Sequence, residues 1–230
     1  MKKLGLTSSV AAAATLLMSA VSLGASEGKR IEEAATVLRE LRSTAEKGIP
    51  EDLLKKAECV AVVPSLKKAA FIVGGEYGKG LVSCRKGSKW SAPSFLLIGK
   101  GSVGFQIGAE SVDLVLLVMN EKGINRLLSD KVALGAEASV AAGPVGRDTR
   151  AMTDAQLKAE MLSYSRAQGV FAGVDVTGGV LKPATDDNRD LYGRRVSPRE
   201  LLIEGSVDPV AATAAFMREL ERSAAAAANH

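Results

Sequence analysis

Ile31, Ala34, Ala35, Leu38, Leu41 and Ala45 recur at the spacing that gathers side chains on one side of a helix, and they predict one over 27–47. Ser26 stands where an N-cap belongs, and Gly48 with Pro50 supplies the stop. The opposite side mixes Lys29, Arg30, Arg39 and Lys47 with Glu32, Glu33, Glu40 and Glu46, so the helix is two-faced. A second, short helix is expected over 50–57, with Pro50 in its first turn.

From Cys59 the period changes. Apolar runs over 59–63, 69–73, 81–84, 95–98, 103–107 and 112–119 are separated at short intervals by turn residues, which is the texture of antiparallel hairpins. Pro64 ends the first run, and Gly74-Gly75 follows the second. Glycine at 99, 101, 104 and 108 leaves little room for a helix. One helix is predicted over 121–129, strands return at 138–142 and 170–181, and a last helix covers 208–222 before an alanine run that frays. Residues 155–163 read equally as helix or as the start of a strand. The strands do not alternate with crossover helices, which argues against a doubly wound parallel sheet. The expected fold is α+β: a curled, mainly antiparallel, glycine-rich sheet or partial barrel with flanking N- and C-terminal helices.

The first 25 residues read as a secretory signal. Lys2 and Lys3 precede the apolar run 10–18, and small residues follow at Ser19, Ala20, Ser22, Gly24 and Ala25. Thr7, Ser8, Ser9 and Thr15 interrupt the apolar stretch, which falls short of the roughly 20 residues of a transmembrane span. Ser26 rather than a cysteine comes next, so the expectation is a periplasmic or secreted protein that is not a lipoprotein. An oxidising compartment permits a disulfide between Cys59 and Cys84, both at strand ends. Two separate small buried residues is the other reading, and both stay open.

Composition narrows the classes further. Of 230 residues, 47% are apolar and 24% charged, which suits one globular domain. The net charge of +4 includes Lys2 and Lys3 and is too small to argue for nucleic acid. Catalysis has little to work with. The single histidine is His230, and no Ser/His or Cys/His pair is available. One histidine with two cysteines does not make a zinc site. Glu110, Asp113 and Asp175 lack the spacing of an acid/base pair. Gly99 to Gly104 spells G-x-G-x-x-G, but Phe105-Gln106-Ile107-Gly108 alternates like a strand where a dinucleotide site needs a helix. Asp186 to Asp190 resembles the opening of a calcium loop, yet Leu191 and Ser197 stand where glycine and glutamate would be required. A solvated turn or helix start is expected there. No enzyme, cofactor or metal is therefore expected.

What remains is a scatter of cations near turns and strand ends: Lys55, Lys56, Lys67, Lys68, Lys79, Lys100, Arg147, Arg150 and Arg166. Several of them along one edge would receive anionic headgroups beside backbone N–H donors, and an ordinary charged surface is the plainer reading. Trp90 fits a core better than a membrane interface.

A series of words in order along the chain resembles the SYLF domain family. They include AATVLREL at 34–41, CVAVVP at 59–64, Gly78-Lys79-Gly80, WSAP at 90–93 and QIGAE at 106–110. They continue with Asp113-Leu114-Val115, Leu134-Gly135-Ala136, GPVGR at 143–147, Tyr164-Ser165-Arg166 and GVFAG at 169–173. Asn188, Tyr192-Gly193 and Ile203-Glu204-Gly205 complete the series. The resemblance implies 26–48 as an N-terminal amphipathic helix of the domain, 49–205 as its core, and 206–230 as a C-terminal helix and tail. It also implies lipid binding without catalysis, with phosphoinositides as ligands in eukaryotic members and actin in some fungal ones. Transferred to this chain, the helix offers Lys29, Arg30, Arg39 and Arg42 on its basic side and Ile31, Ala34, Leu38 and Leu41 on its apolar side. Lys67 and Lys68 add to the headgroup set. For an exported protein, anionic lipid or a membrane surface is the expected partner, and actin is not. The rival expectation is an envelope protein that binds a small molecule or serves in stress, with incidental lipid affinity.

Overall fold

The computed structural model describes residues 26–41, 48–71, 73–87, 89–103, 110–146 and 152–226. The predicted first helix is present over 26–41 (α1), and Ala45 and Lys47 lie outside the described residues. Ile31, Ala34, Ala35, Val37, Leu38 and Leu41 are each at most 2% exposed. They share one core with Val60, Val62, Leu81, Phe95, Val115, Leu117, Leu162 and Tyr164 of the sheet. The small Ala34 and Ala35 let the helix axis sit close to the strands. α2 (Glu51–Lys56) follows. Arg85 closes its C-terminal end, donating from Nη2 to the Leu54 carbonyl (3.1 Å) and from Nε to that of Ala57 (3.4 Å). The same guanidinium stacks 4.5 Å above Trp90, which is buried as expected.

Ten strands form a strongly curled half-barrel: β1 (Cys59–Phe71), β2 (Val73–Lys86), β3 (Lys89–Trp90), β4 (Ser94–Val103), β5 (Glu110–Val118), β6 (Val132–Ala133), β7 (Val140–Ala142), β8 (Met161–Ala167), β9 (Val170–Gly173) and β10 (Gly179–Pro183). Their order is β6-β10-β4-β2-β1-β5-β8-β7, with β3 on β2 and β9 on β8. The strand pairs are antiparallel except β7 with β8. Alternate residues feed two cores. Val60 and Val62 face α1, whereas Cys59, Ala61 and Val63 join Leu96, Ile98, Leu114, Leu116, Leu201 and Leu202 on the other side. A sheet covered on both faces explains why its strands read as continuous apolar runs.

The runs at 59–63 and 69–73, expected as two strands divided by Pro64, are largely one strand, β1, with Val73 beginning β2. A bulge absorbs the proline: the register against β5 shifts between Val63 and Leu66. Ser65 takes φ 52° there and donates its N–H to Asp113 Oδ1 at 2.9 Å instead of to the ladder. Cys59 and Cys84 are register partners on β1 and β2 and are joined by a disulfide. The G-x-G-x-x-G stretch runs as strand through Val103, so no helix opens after Gly99 or Gly101.

Residues 155–163 prove to be both alternatives in turn. A Thr153/Gln156 capping box starts α4 (Asp154–Lys158), and β8 begins at Met161. The stretch 170–181 splits into β9 and β10. The 121–129 helix is α3 (Glu121–Leu127), capped by the Asn120 side chain. The aspartate run is α5 (Thr185–Tyr192), in which Arg189 pairs with Asp186 (2.9 Å) and Asp190 (3.1 Å), so no calcium loop forms. A π-helical turn at Glu200–Glu204 had no sequence signal. A 3-10 turn at Ala211–Thr213 leads into α6 (Ala214–Ala226).

The WSAP word and the α5 residues are one interlock. Asn188, fully buried, accepts from the Phe95 N–H at 2.7 Å and donates to Ser94 Oγ at 2.9 Å. One turn on, the Tyr192 hydroxyl donates to the Pro93 carbonyl at 2.6 Å. Ser91 Oγ accepts from the Cys84 N–H at 3.0 Å. Asn188→Ala therefore strands a buried donor and is expected to cost about 2 kcal/mol, against about 1 kcal/mol for Tyr192→Phe, in urea denaturation.

Candidate functional site

Ser65 and Lys67 on β1, Tyr77 to Lys79 on β2, Asp187 on α5, and Ser26, Glu27 and Arg30 at the start of α1 line a cleft of about 170 Å³. The bulge at Pro64-Ser65 sets the wall, and register places Lys67 opposite Tyr77. Arg30 donates from Nη1 to the Lys79 carbonyl at 3.3 Å. Lys79 Nζ reaches both Asp187 oxygens at 2.6 and 2.8 Å, so its charge is matched. Lys67 is exposed at the mouth with no ion-pair partner among the described residues. Tyr77, 53% exposed, stands beside it. Glu27 sits in the first turn of α1, where the N–H groups of a helix start favour negative charge. Burial, then the Asp187 and Asp190 carboxylates, raise its pKa above the usual carboxylate value, against the opposing pull of Lys79 and Arg30. Lys67 and Arg30 thus bring two positive groups to a cleft that the Glu27 and Asp187 carboxylates also line. Among the described residues no cluster of metal-ligand side chains exists.

Of the residues singled out from sequence, Arg30 and Lys67 meet in this cleft. Lys29 is exposed and pairs with Glu33 at 3.7 Å. Arg39 reaches across to Glu219 of α6 at 3.5 Å. Ile31, Leu38 and Leu41 are sealed against the sheet, so α1 presents its basic side and hides its apolar one. Arg42 lies outside the described residues, as does the Lys68 side chain. Arg166, one of the cations placed near strand ends, is bonded to Asp113 and Glu40. Glu27, Ser65 and Tyr77 carried no linear signal, and Asp187 stood out only within the calcium-loop-like run, since only the bulge, the β1–β2 register and the docking of α1 and α5 bring them together.

The family model described as "Ysc84: Las17-binding protein actin regulator" matches residues 99–223, more than half of the chain. The chain belongs to the Ysc84 (SYLF) family. This is a family of binding and adaptor domains rather than of enzymes. Among its relatives, an SH3 domain-containing protein of Schizosaccharomyces pombe is 35% identical over 193 residues, covering 81% of this chain and 45% of the relative. LAS seventeen-binding protein 3 of Saccharomyces cerevisiae is 32% identical over 184 residues, or 78% of this chain and 40% of the relative. Human SH3 domain-containing YSC84-like protein 1 is 32% identical over 188 residues, or 79% and 55%. The chain thus spans about half the length of the curated relatives it matches. Their names link the family to actin-regulatory partners. The expectation that actin is no partner here rests on the secretory reading of residues 1–25, which lie outside the described residues.

Proposed function

We propose that this Ysc84 domain is a non-catalytic module that binds anionic lipid headgroups at a membrane surface, with Lys67 and Arg30 as the headgroup contacts. The observation that carries this reading is the convergence of Arg30 from α1 and Lys67 from β1 on one cleft. Its volume of about 170 Å³ is smaller than the roughly 300–1,000 Å³ of drug-sized pockets and suits a phosphate-bearing headgroup over a bulky small molecule. No described helix is long and apolar enough to cross a membrane, so the reading is one of surface binding. Because Ile31, Leu38 and Leu41 are buried, α1 acts here through Arg30 and its first turn rather than by laying its apolar side on lipid. The secretory reading of residues 1–25 would make the target an envelope lipid, and N-terminal sequencing of the native protein decides it.

Co-sedimentation with phosphatidylglycerol-containing vesicles tests the proposal. Binding is expected at low salt and should weaken as salt rises. Arg30→Glu with Lys67→Glu should lower affinity more than roughly tenfold, at about 1 kcal/mol for each basic group lost near the surface. No pelleting with anionic vesicles at low salt would sink the reading. Glu27 adds a pH signature. Its raised pKa means that it takes up a proton at a higher pH than an ordinary glutamate, so the cleft becomes more positive and binding tightens as pH falls through that value. Glu27→Gln should tighten binding at neutral pH by roughly fivefold and flatten this acid dependence. A second reading, an actin-regulatory partner, is favoured by the names of the relatives alone. Filament co-sedimentation separates the two.

A further inference from the structure

The cleft at the start of α1 is charged in both senses, and its ions are not all matched. Lys79 Nζ and the Asp187 carboxylate satisfy each other at 2.6 and 2.8 Å. That leaves Arg30, Lys67 and Glu27. Arg30 gives one N–H to the Lys79 carbonyl, and neither it nor Lys67 makes an ion pair among the described residues. Glu27 is only 9% exposed, yet among the described residues its carboxylate has no hydrogen-bond partner and no ion pair within 4 Å. A buried carboxylate without a donor in contact is costly, and such groups are nearly always matched by a protein cation, by water or by a ligand. Burial is the first cause of its raised pKa, and Asp187 and Asp190 add to it beyond what Lys79 and Arg30 offset. The position lacks a compact cation that donates hydrogen bonds.

Glu27 and Arg30 stand three residues apart on α1 and line the same cleft, a spacing that sets Cβ atoms roughly 5–6 Å from each other. Two cations and one carboxylate on that scale complement a phosphodiester and a primary ammonium joined by a two-carbon linker. We propose that the cleft is an aminophospholipid site: Arg30 and Lys67 take the headgroup phosphate, and Glu27 takes the primary ammonium. A primary ammonium offers three N–H donors on a compact charge. The trimethylammonium of phosphatidylcholine has no donor to give, and phosphatidylglycerol brings no cation at all. The inference rests on the headgroup reading above and deepens it by naming the ligand class. It also gives Glu27 opposite effects on two lipids: its charge repels a purely anionic headgroup and holds one that carries an ammonium.

The test uses the full chain at low salt and vesicles of constant surface charge. Their base is phosphatidylcholine with a fixed share of phosphatidylglycerol, and part of the phosphatidylcholine is then exchanged for phosphatidylethanolamine. The exchange should tighten binding roughly fivefold or more. Glu27→Gln should erase that gain, although it tightens binding to the vesicles without phosphatidylethanolamine. Calorimetry with soluble headgroups takes the bilayer out of the comparison: glycerophosphoethanolamine should bind at least roughly fivefold more tightly than glycerophosphocholine. A vesicle gain without a matching preference between the soluble headgroups would trace the effect to bilayer packing and overturn the ammonium contact. Vesicle binding that ignores the exchange, or a gain that survives in Glu27→Gln, overturns it as well and leaves the headgroup reading standing. Failure of the unmodified chain to bind any of these vesicles removes both proposals together.

Discussion

Gly80→Ala is expected to cost the domain about 4 kcal/mol or more, a large share of the roughly 5–15 kcal/mol that keeps a domain folded. A Cβ at this position would lie 2.1 Å from the Val62 carbonyl oxygen, 2.7 Å from the Val63 Cα and 2.8 Å from the Val62 carbonyl carbon. All three are backbone atoms of β1, just before the Pro64 bulge, and no rotamer change can move them. Gly78→Ala meets only side-chain ends at close range, Val63 Cγ1 at 2.6 Å and Leu66 Cδ1 at 2.8 Å, which can turn aside, so about 1–2 kcal/mol is expected there. Gly101→Ala has open space around it and should stay within about 0.5 kcal/mol of the parent. Urea denaturation of the three variants gives the ranking. A Gly80→Ala protein as stable as Gly101→Ala would refute the close approach of β1 and β2 on which the cleft wall depends.

This contrast shows what the sequence could disclose. The α+β architecture, the curled antiparallel sheet and the helices at either end follow from the helical period of α1, the short apolar runs and the turn residues between them, although runs apolar at every position do not show which residues feed which core. The words WSAP, Asn188 and Tyr192 were legible as a pattern but not as a reason: their hydrogen bonds span more than 90 residues of chain. Pro64 misled, since a proline that normally ends a strand is absorbed by a bulge whose stray N–H goes to an aspartate 48 residues away. The two faces of α1 were visible, but which one meets the sheet was not. An apolar helical stripe fits a core and a membrane equally well, and only packing decides between them. The cleft was half legible. Arg30 and Lys67 stood out as cations, while Glu27, Tyr77 and Asp187 enter it through docking and register that no local pattern encodes.

Arg166→Met is expected to destabilise the protein by about 3 kcal/mol and to loosen α1 before the rest. The Arg166 side chain is 16% exposed and donates from Nη1 to Asp113 Oδ2 and from Nη2 to Glu40 Oε2. Glu40 sits on α1, Asp113 on β5 and Arg166 on β8, so one guanidinium ties the helix to two adjacent strands. Asp113 also holds the Ser65 N–H, which carries the connection to the bulge beside the cleft. Removing the cation takes the ion-pair partner from Asp113, 17% exposed and still holding the Ser65 N–H, and one partner from Glu40, 37% exposed; the negative charge left in a poorly solvated space at Asp113 is the main cost. Neutralising it should restore part of the loss, so Arg166→Met combined with Glu40→Gln and Asp113→Asn is expected to be more stable than Arg166→Met alone. Glu40→Ala by itself, on the more exposed partner, should cost only about 1 kcal/mol. Hydrogen exchange supplies the second readout. In Arg166→Met the amides of 29–41 should lose protection at lower denaturant than those of β1 and β5, because the helix has lost its tie while the strands keep their ladder. A variant in which α1 and the sheet still open together, at undiminished stability, would mean that apolar burial of Ile31, Leu38 and Leu41 alone holds the helix, and that the cleft's Arg30 is positioned without help from the charge network.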